Sequence, residues 1–174
     1  MLYIITALKP EAQAFVEHHK LTKAKLGMFT LFHNDTIRLL ISGLGVTKAR
    51  EATQTLINHY DITDEDVYLN IGICGAKSSY EIGAVLEIGS ILYDDMCYLF
   101  DATKKEIVCL DSEAKDVTYD IVDMESFGFY DAVIHSPAIK NFSIIKVVSD
   151  HFEPHKVTKD ATKTLIHNAI KELF

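Results

Sequence analysis

Positive charge is scarce in this chain of 174 residues. Lysine and arginine together number 17, against 25 aspartates and glutamates, which leaves a net charge of −8 at pH 7. The arginines are Arg38 and Arg50 alone, so few bidentate clamps for phosphate can be built. An acidic balance of this size disfavours nucleic acids and anionic membranes as partners.

Cysteine is sparse too: Cys74, Cys97 and Cys109 form no Cys-x-x-Cys pair. Their odd number indicates neither a disulfide framework nor a zinc site, and a reduced cytoplasmic setting fits best. No His-Glu-x-x-His pattern is present, and we expect neither a metal nor a cofactor. The amino-terminal apolar run, residues 2–8, is too short to span a bilayer. It lacks a basic leader and a small-residue cleavage site, so we interpret it as a strand rather than a signal peptide.

Strands and helices alternate along the chain. Apolar runs rich in β-forming residues predict strands over residues 2–7, 29–33, 36–41, 67–71, 84–92, 96–100, 107–110 and 142–148. Helical spacing of apolar residues follows Lys9-Pro10, spans residues 46–60 and 126–134, and recurs at the carboxyl terminus as Ala161, Leu165, Ala169 and Leu173. This alternation predicts one α/β domain over residues 1–174, with a mostly parallel, mixed central sheet flanked by helices.

Several predicted strands end in an acid or a glycine turn. Glu11 follows the first strand, Ser42-Gly-Leu-Gly45 the third, Gly72 to Gly75 the fourth, and Asp150 the last. Since the carboxyl ends of parallel strands meet at one edge of a sheet, we expect these residues to border one polar pocket. The glycines match neither the G-x-G-x-x-G fingerprint nor a P-loop.

Asp123-Met124-Glu125 is the most informative stretch of the sequence. It follows an apolar run, residues 119–122, and precedes a helix-like run, residues 126–134. Side chains two residues apart on an extended backbone point to the same side, so both carboxylates could face a ligand. A second interpretation is that Asp123 caps the helix and Glu125 favours its first turn.

Five segments carry a recognisable pattern in sequence order: residues 5–11, 42–45 with the helix that follows, 70–76, 122–126 and 147–150. Together they resemble the nucleoside phosphorylase/nucleosidase superfamily, and most closely its methylthioadenosine/S-adenosylhomocysteine nucleosidases. Residues 122–126 resemble the signature Val-Glu-Met-Glu-Ala, and Ser149-Asp150 resembles a terminal Ser-Asp motif. The chain departs from the family at Asp123, which stands at the first Glu of the signature, and is shorter between Gly89 and Asp123.

The resemblance implies roles for the candidate residues. Glu125 would accept hydrogen bonds from ribose hydroxyls, and Met124 would pack on the sugar. Asp150, supported by Ser149, would protonate the purine as it leaves, and Glu11 would orient or deprotonate an attacking water. The residues implied to line the ribose and base site are Ala7, Leu8, Cys74, Gly75 and Asp123.

The implied reaction is cleavage of the N-ribosidic bond of a purine nucleoside. Phosphorylases of the superfamily carry Arg and Ser where Asn70 and Ile73 stand here, so a phosphate dianion among carboxylates would lack compensation, and we expect water as the nucleophile. Two alternatives stay open: a phosphorylase that uses Arg38, Arg50 or a lysine, and a catalytically silent nucleoside-binding protein. Members are commonly homo-oligomers, so the resemblance also implies a homodimer or higher assembly that covers the shortened region.

Overall fold

The computed structural model describes residues 1–114 and 118–174, which form one mixed ten-stranded sheet and four α-helices. The elements are β1 (Leu2–Thr6), α1 (Lys9–His19), β2 (Thr22–Leu26), β3 (Phe29–His33), β4 (Ile37–Ile41), α2 (Val46–His59), β5 (Val67–Ala76), β6 (Val85–Tyr93), β7 (Met96–Leu99), β8 (Lys105–Cys109), β9 (Ile121–Asp123), α3 (Ser126–Ile134), β10 (Asn141–Asp150) and α4 (Lys159–Leu173). A single 3₁₀ turn, Pro154–Lys156, precedes α4.

The centre of the sheet is parallel, as the sequence predicted. Strands β4, β1, β5 and β10 lie side by side and run in the same direction. Antiparallel pairs flank this centre: β2 and β3 extend it beyond β4, while β6 pairs with β10 and with β7. At its carboxyl end β5 also pairs with β9, which brings Asp123 close to the ends of β5 and β10.

Helices cover both faces of the sheet, which explains why its central strands are apolar on both sides. On one face α1 and α4 bury Phe15, Ile166 and Ile170 against the strands. On the other, α2 and α3 bury residues such as Leu56 and Phe129. Each such side chain contributes about 1.5–3 kcal/mol when fully buried. None of the helices in the two described ranges is long and apolar enough to cross a membrane.

Glycine allows α2 and α3 to meet closely. A Cβ atom on Gly128 of α3 would lie 2.0 Å from the backbone oxygen of Val46, the first residue of α2. No larger residue fits without separating the two helices. Their first turns therefore stay together, and with them Gly45 and Glu125, which immediately precede the two helices.

The structure corrects the predicted elements in three places. Strand β2 was missed, because its sequence, Thr-Lys-Ala-Lys-Leu, is mostly polar. Strands β5 and β10 continue through the predicted stops at Gly72 and Ser149, because they pair with each other as far as Gly75 and Asp150. The buried face of α4 consists of Thr162, Ile166, Ala169 and Ile170, so only Ala169 of the predicted set is fully buried.

Candidate functional site

A cavity of about 340 Å³ opens at the carboxyl ends of the central strands. Its volume falls within the range that small-molecule sites occupy. The structure brings together around it all ten residues singled out from the sequence: Ala7, Leu8, Glu11, Cys74, Gly75, Asp123, Met124, Glu125, Ser149 and Asp150.

Glu11 is held as a buried carboxylate in the first turn of α1. Its Oε2 accepts the backbone N–H groups of Ala7 and Leu8 at 3.0 and 2.8 Å, and its Oε1 accepts that of Ile73 at 3.0 Å. Burial raises the pKa of Glu11, while these N–H groups and Lys146 oppose that rise. A carboxylate offers about four acceptor positions, so about one remains for a water or hydroxyl in the cavity.

The neighbouring glycine makes room for this carboxylate. A Cβ atom on Gly72 would lie 2.9 Å from Glu11 Oε1. Any side chain at this position of β5 would push the carboxylate away from the N–H of Ile73. The absence of a side chain at Gly72 therefore allows Glu11 to keep its hydrogen bond to the N–H of Ile73.

Glu125 is anchored by the glycine turn that precedes α2. Gly43 and Gly45 have φ angles of +88° and +100°, a region that favours glycine. The N–H of Gly45 points at Glu125 and donates to its Oε1 at 2.9 Å. Burial and the nearby Asp123 raise the pKa of Glu125 to about 7, although Lys146 and the Gly45 N–H oppose them.

Asp123 accepts backbone N–H groups at the start of α3 and pairs with a buried lysine. Its Oδ2 accepts the N–H of Ser126 at 2.8 Å and that of Glu125 at 3.3 Å, while Oδ1 accepts the Ser126 hydroxyl. Lys146 Nζ lies 2.8 Å from Asp123 Oδ2, and both side chains are 1% exposed. The strand β9 ends at Asp123, so strand alternation does not extend to Glu125. The capping interpretation is right only in part: Glu125 itself occupies the N-cap position of α3, while Asp123, two residues earlier, accepts the first N–H groups.

Lys146 is a buried charged residue beside the cavity acids that the sequence analysis did not single out. It donates to Asn70 Oδ1 at 2.7 Å in addition to pairing with Asp123. Burial lowers its pKa, but Asp123, Glu125 and Glu11 outweigh burial and hold the pKa above the ordinary value. A signal was present: a lysine inside the apolar run Ile-Ile-Lys-Val-Val, in a strand expected to be covered on both faces, is expected to be buried, and a buried ammonium needs a partner.

Asp150 lies at the end of β10, beside Ser149. The Ser149 hydroxyl is 2.7 Å from Asp150 Oδ2 and 3.1 Å from the backbone oxygen of Cys74, and the N–H of Glu153 donates to Asp150 Oδ1 at 2.8 Å. These contacts fix the plane of a half-buried carboxyl group at the cavity wall. Burial raises the pKa of the Cys74 thiol, so this cysteine contributes a neutral surface.

The remaining wall is largely apolar. Met124 lies between the two acids of its segment, and the other apolar lining residues include Leu44, Ile73, Leu110, Val122 and Phe152. Arg38 and Arg50 do not line the cavity. Arg38 bonds to the backbone oxygen of Asn34, and Arg50 pairs with Asp131.

The raised pKa of Glu125 predicts a pH-dependent cost to stability. An unfolded glutamate titrates near 4.5, and in the fold the value is about 7. The folded protein therefore binds more protons between these values, and its free energy of unfolding falls as pH rises through that window. Glu125→Gln removes this loss. We expect the free energy of unfolding of the variant, taken relative to wild type at the same pH, to be about 2–3 kcal/mol higher at pH 8 than at pH 5. Urea unfolding followed by circular dichroism measures both values.

Glu51→Gln is the matched control for this prediction. Glu51 lies on the exposed side of α2, and its replacement removes the same formal charge. An equal stability difference from wild type at pH 5 and pH 8 for Glu125→Gln would contradict the raised pKa.

Within residues 1–114 and 118–174, no group of three or more His, Cys, Asp or Glu side chains has an arrangement that could hold a metal ion. The carboxyl groups of Glu11, Asp123 and Asp150 accept hydrogen bonds from backbone N–H groups or hydroxyls, and Asp123 also pairs with Lys146.

The sequence matches no protein-family model and no curated protein. The fold, in contrast, matches solved methylthioadenosine/S-adenosylhomocysteine nucleosidases. The Helicobacter pylori enzyme matches with a TM-score of 0.82 at 13% identity, over 99% of this chain and 95% of that one. The S. pneumoniae enzyme, solved with a transition-state inhibitor, matches with a TM-score of 0.81 at 16% identity, over 99% of this chain and 96% of that one. The Arabidopsis thaliana methylthioadenosine nucleosidase matches with a TM-score of 0.76 at 16% identity, over 99% of this chain and 95% of that one.

These likenesses, at 13–16% identity, show that the chain has the fold of the methylthioadenosine/S-adenosylhomocysteine nucleosidases. The fold predicted from the resemblance of five short segments is thereby confirmed. Because a fold hosts more than one activity, function has to be argued from the cavity itself.

Proposed function

We propose that this protein cleaves the N-ribosidic bond of a purine nucleoside, with water as the nucleophile. One observation carries the proposal: Glu11, Glu125 and Asp150 border one cavity, and each is held by different partners. Cleavage of a glycosidic bond passes through an oxocarbenium-like state. That state needs negative charge beside the sugar and a proton for the departing base.

The three carboxyl groups can divide this work. As the bond from the anomeric carbon to the base nitrogen breaks, its electron pair goes to the base, which takes a proton from Asp150. Glu125 accepts hydrogen bonds from the ribose hydroxyls, and its charge stabilises the cationic sugar. Water then attacks the anomeric carbon and gives a proton to Glu11, so the products are a free base and a free sugar.

Water is favoured over phosphate by the charge of the wall. Five acidic side chains line the cavity, namely Glu11, Glu113, Asp123, Glu125 and Asp150. Lys159 is the only basic residue among the described lining residues, and it is exposed. Lys146 is buried and already pairs with Asp123. A phosphate dianion would therefore meet uncompensated repulsion.

The solved neighbours support the choice of substrate class. The Colwellia psychrerythraea nucleosidase was solved with adenine, and that of Neisseria meningitidis with methylthio-immucillin-A. We extend their class of ligand to this chain. The resemblance, in which this chain is shorter than the family between Gly89 and Asp123, leads us to propose also that a second copy of the chain completes the cavity. Light scattering tests this: we expect a mass above that of one chain, and a strict monomer would contradict it.

Base release from a panel of nucleosides tests the proposed reaction. Purine ribonucleosides, including methylthioadenosine, are compared with uridine by chromatography, with and without phosphate. We expect purine release at equal rates in both buffers. Release that requires phosphate would support a phosphorylase. No release, together with a melting temperature raised by adenosine, would support a silent nucleoside-binding protein.

A further inference from the structure

The segment after β10 forms a tight turn that holds an aromatic side chain at the cavity. Asp150 Oδ1 accepts the N–H of Glu153, three residues later, and Phe152 lies inside this turn with a φ angle of +62°. Residues other than glycine, and bulky ones above all, seldom adopt this left-handed conformation. It persists only where its surroundings hold it firmly, and the ring of Phe152 is indeed buried, at 7% exposed.

The ring and the carboxyl group of Asp150 border the same small space. A methyl group built on Gly75 would lie 3.6 Å from Asp150 Oδ1 and 3.7 Å from Phe152 Cδ1. Because Gly75 has no side chain, this space belongs to the cavity. Phe152 is also the only aromatic residue among the described residues that line it.

A planar base that receives a proton from Asp150 must lie within hydrogen-bonding distance of that carboxyl group. A base in that position lies next to the ring of Phe152. We infer that Phe152 contacts the purine ring and acts as a specificity residue for the base, and that its turn couples base position to Asp150. This inference rests on the proposed function and assigns the base end of the same cavity.

Equilibrium binding of adenine tests the inference without requiring turnover. Isothermal titration is carried out on wild type and on Phe152→Ala, Phe152→Leu and Phe152→Tyr. Loss of a base–aromatic contact should weaken adenine binding about tenfold in Phe152→Ala. Leucine keeps apolar volume but no ring, so we expect about a threefold loss. Tyrosine keeps the ring and should stay within about twofold of wild type.

Phe142→Ala is the matched control, since Phe142 packs on Phe100 and Tyr130, away from the cavity. It should leave adenine affinity unchanged. If Phe152→Ala does not fold, the leucine and tyrosine variants decide, because both keep most of the side-chain volume. Equal affinity of these two variants would overturn the inference, as would the absence of adenine binding to wild type.

The two proposals fail in different ways. If wild type releases the base but the Phe152 variants bind adenine as tightly as wild type does, the inference is overturned and the proposed function stands. Adenine affinity that depends on Phe152, without base release from any nucleoside, would support the inference and contradict the proposed reaction.

Discussion

Changing Asp150 to Asn is expected to lower the rate of base release by about 10²–10⁴-fold, the usual contribution of a general acid. The amide has the same shape and can still accept the N–H of Glu153, so the turn that follows β10 should persist. It cannot donate the proton that a purine needs as it leaves. The rate is measured by chromatography of the released base at saturating nucleoside.

A substrate that needs no proton isolates this role. A p-nitrophenyl riboside releases p-nitrophenolate, which is stable without a proton. The rate of its hydrolysis should therefore fall far less in Asp150→Asn than the rate with a purine nucleoside. Asp120→Asn, which changes an exposed residue paired with Lys77, serves as the control and should keep the wild-type rate. Equal losses with both substrates would contradict the assignment of Asp150 as the acid.

Replacing the buried Lys146 is expected to lower the free energy of unfolding by about 3–5 kcal/mol. Lys146 pairs with Asp123 at 2.8 Å and lies 1% exposed. In Lys146→Met the charge of Asp123 stays buried beside Glu125 without its partner. Breaking a buried pair in this way costs about 3–5 kcal/mol. Urea unfolding at pH 7, followed by circular dichroism, measures the change in the free energy of unfolding.

A double variant separates the lost pair from lost packing. Asp123→Asn combined with Lys146→Met removes the unpaired charge and should recover part of the loss. Lys140→Met, at an exposed lysine just before β10, should change stability by less than about 0.5 kcal/mol. If Lys146→Met unfolds at the wild-type urea concentration, the ion pair does not stabilise the fold as its burial suggests.

The fold could be predicted from sequence because its central strands contain long apolar runs. The runs in β1 and β10 admit few interpretations other than strands covered on both faces. Polar edge strands carry no such signal, which explains why β2 was missed. The ends of β5 and β10 depend on their pairing with each other, and no local pattern reports a pairing between segments about 75 residues apart.

The gathering of the candidate residues could also be predicted, since it follows from parallel strands ending at one edge. Their individual contacts could not. Asp123 and Glu125 are two residues apart, yet the first accepts the N–H of Ser126 and pairs with Lys146, while the second accepts the N–H of Gly45. That difference arises because β9 ends between them.

Two other residues show where sequence patterns stop being informative. Lys146 carried a signal, as a charge inside an apolar strand, but its partner lies 23 positions away and only the fold brings the two together. Phe152 carried none, because no local pattern indicates its left-handed conformation or the turn in which the N–H of Glu153 donates to Asp150.

The identity of the sugar product tests the proposed reaction most directly. Methylthioadenosine is incubated with the protein in phosphate buffer, and the products are identified by mass spectrometry and phosphorus NMR, with Asp150→Asn as the control. We expect adenine and free methylthioribose, formed by wild type and greatly reduced in the variant. A sugar 1-phosphate, or intact methylthioadenosine after prolonged incubation with wild type, would contradict hydrolysis at this cavity.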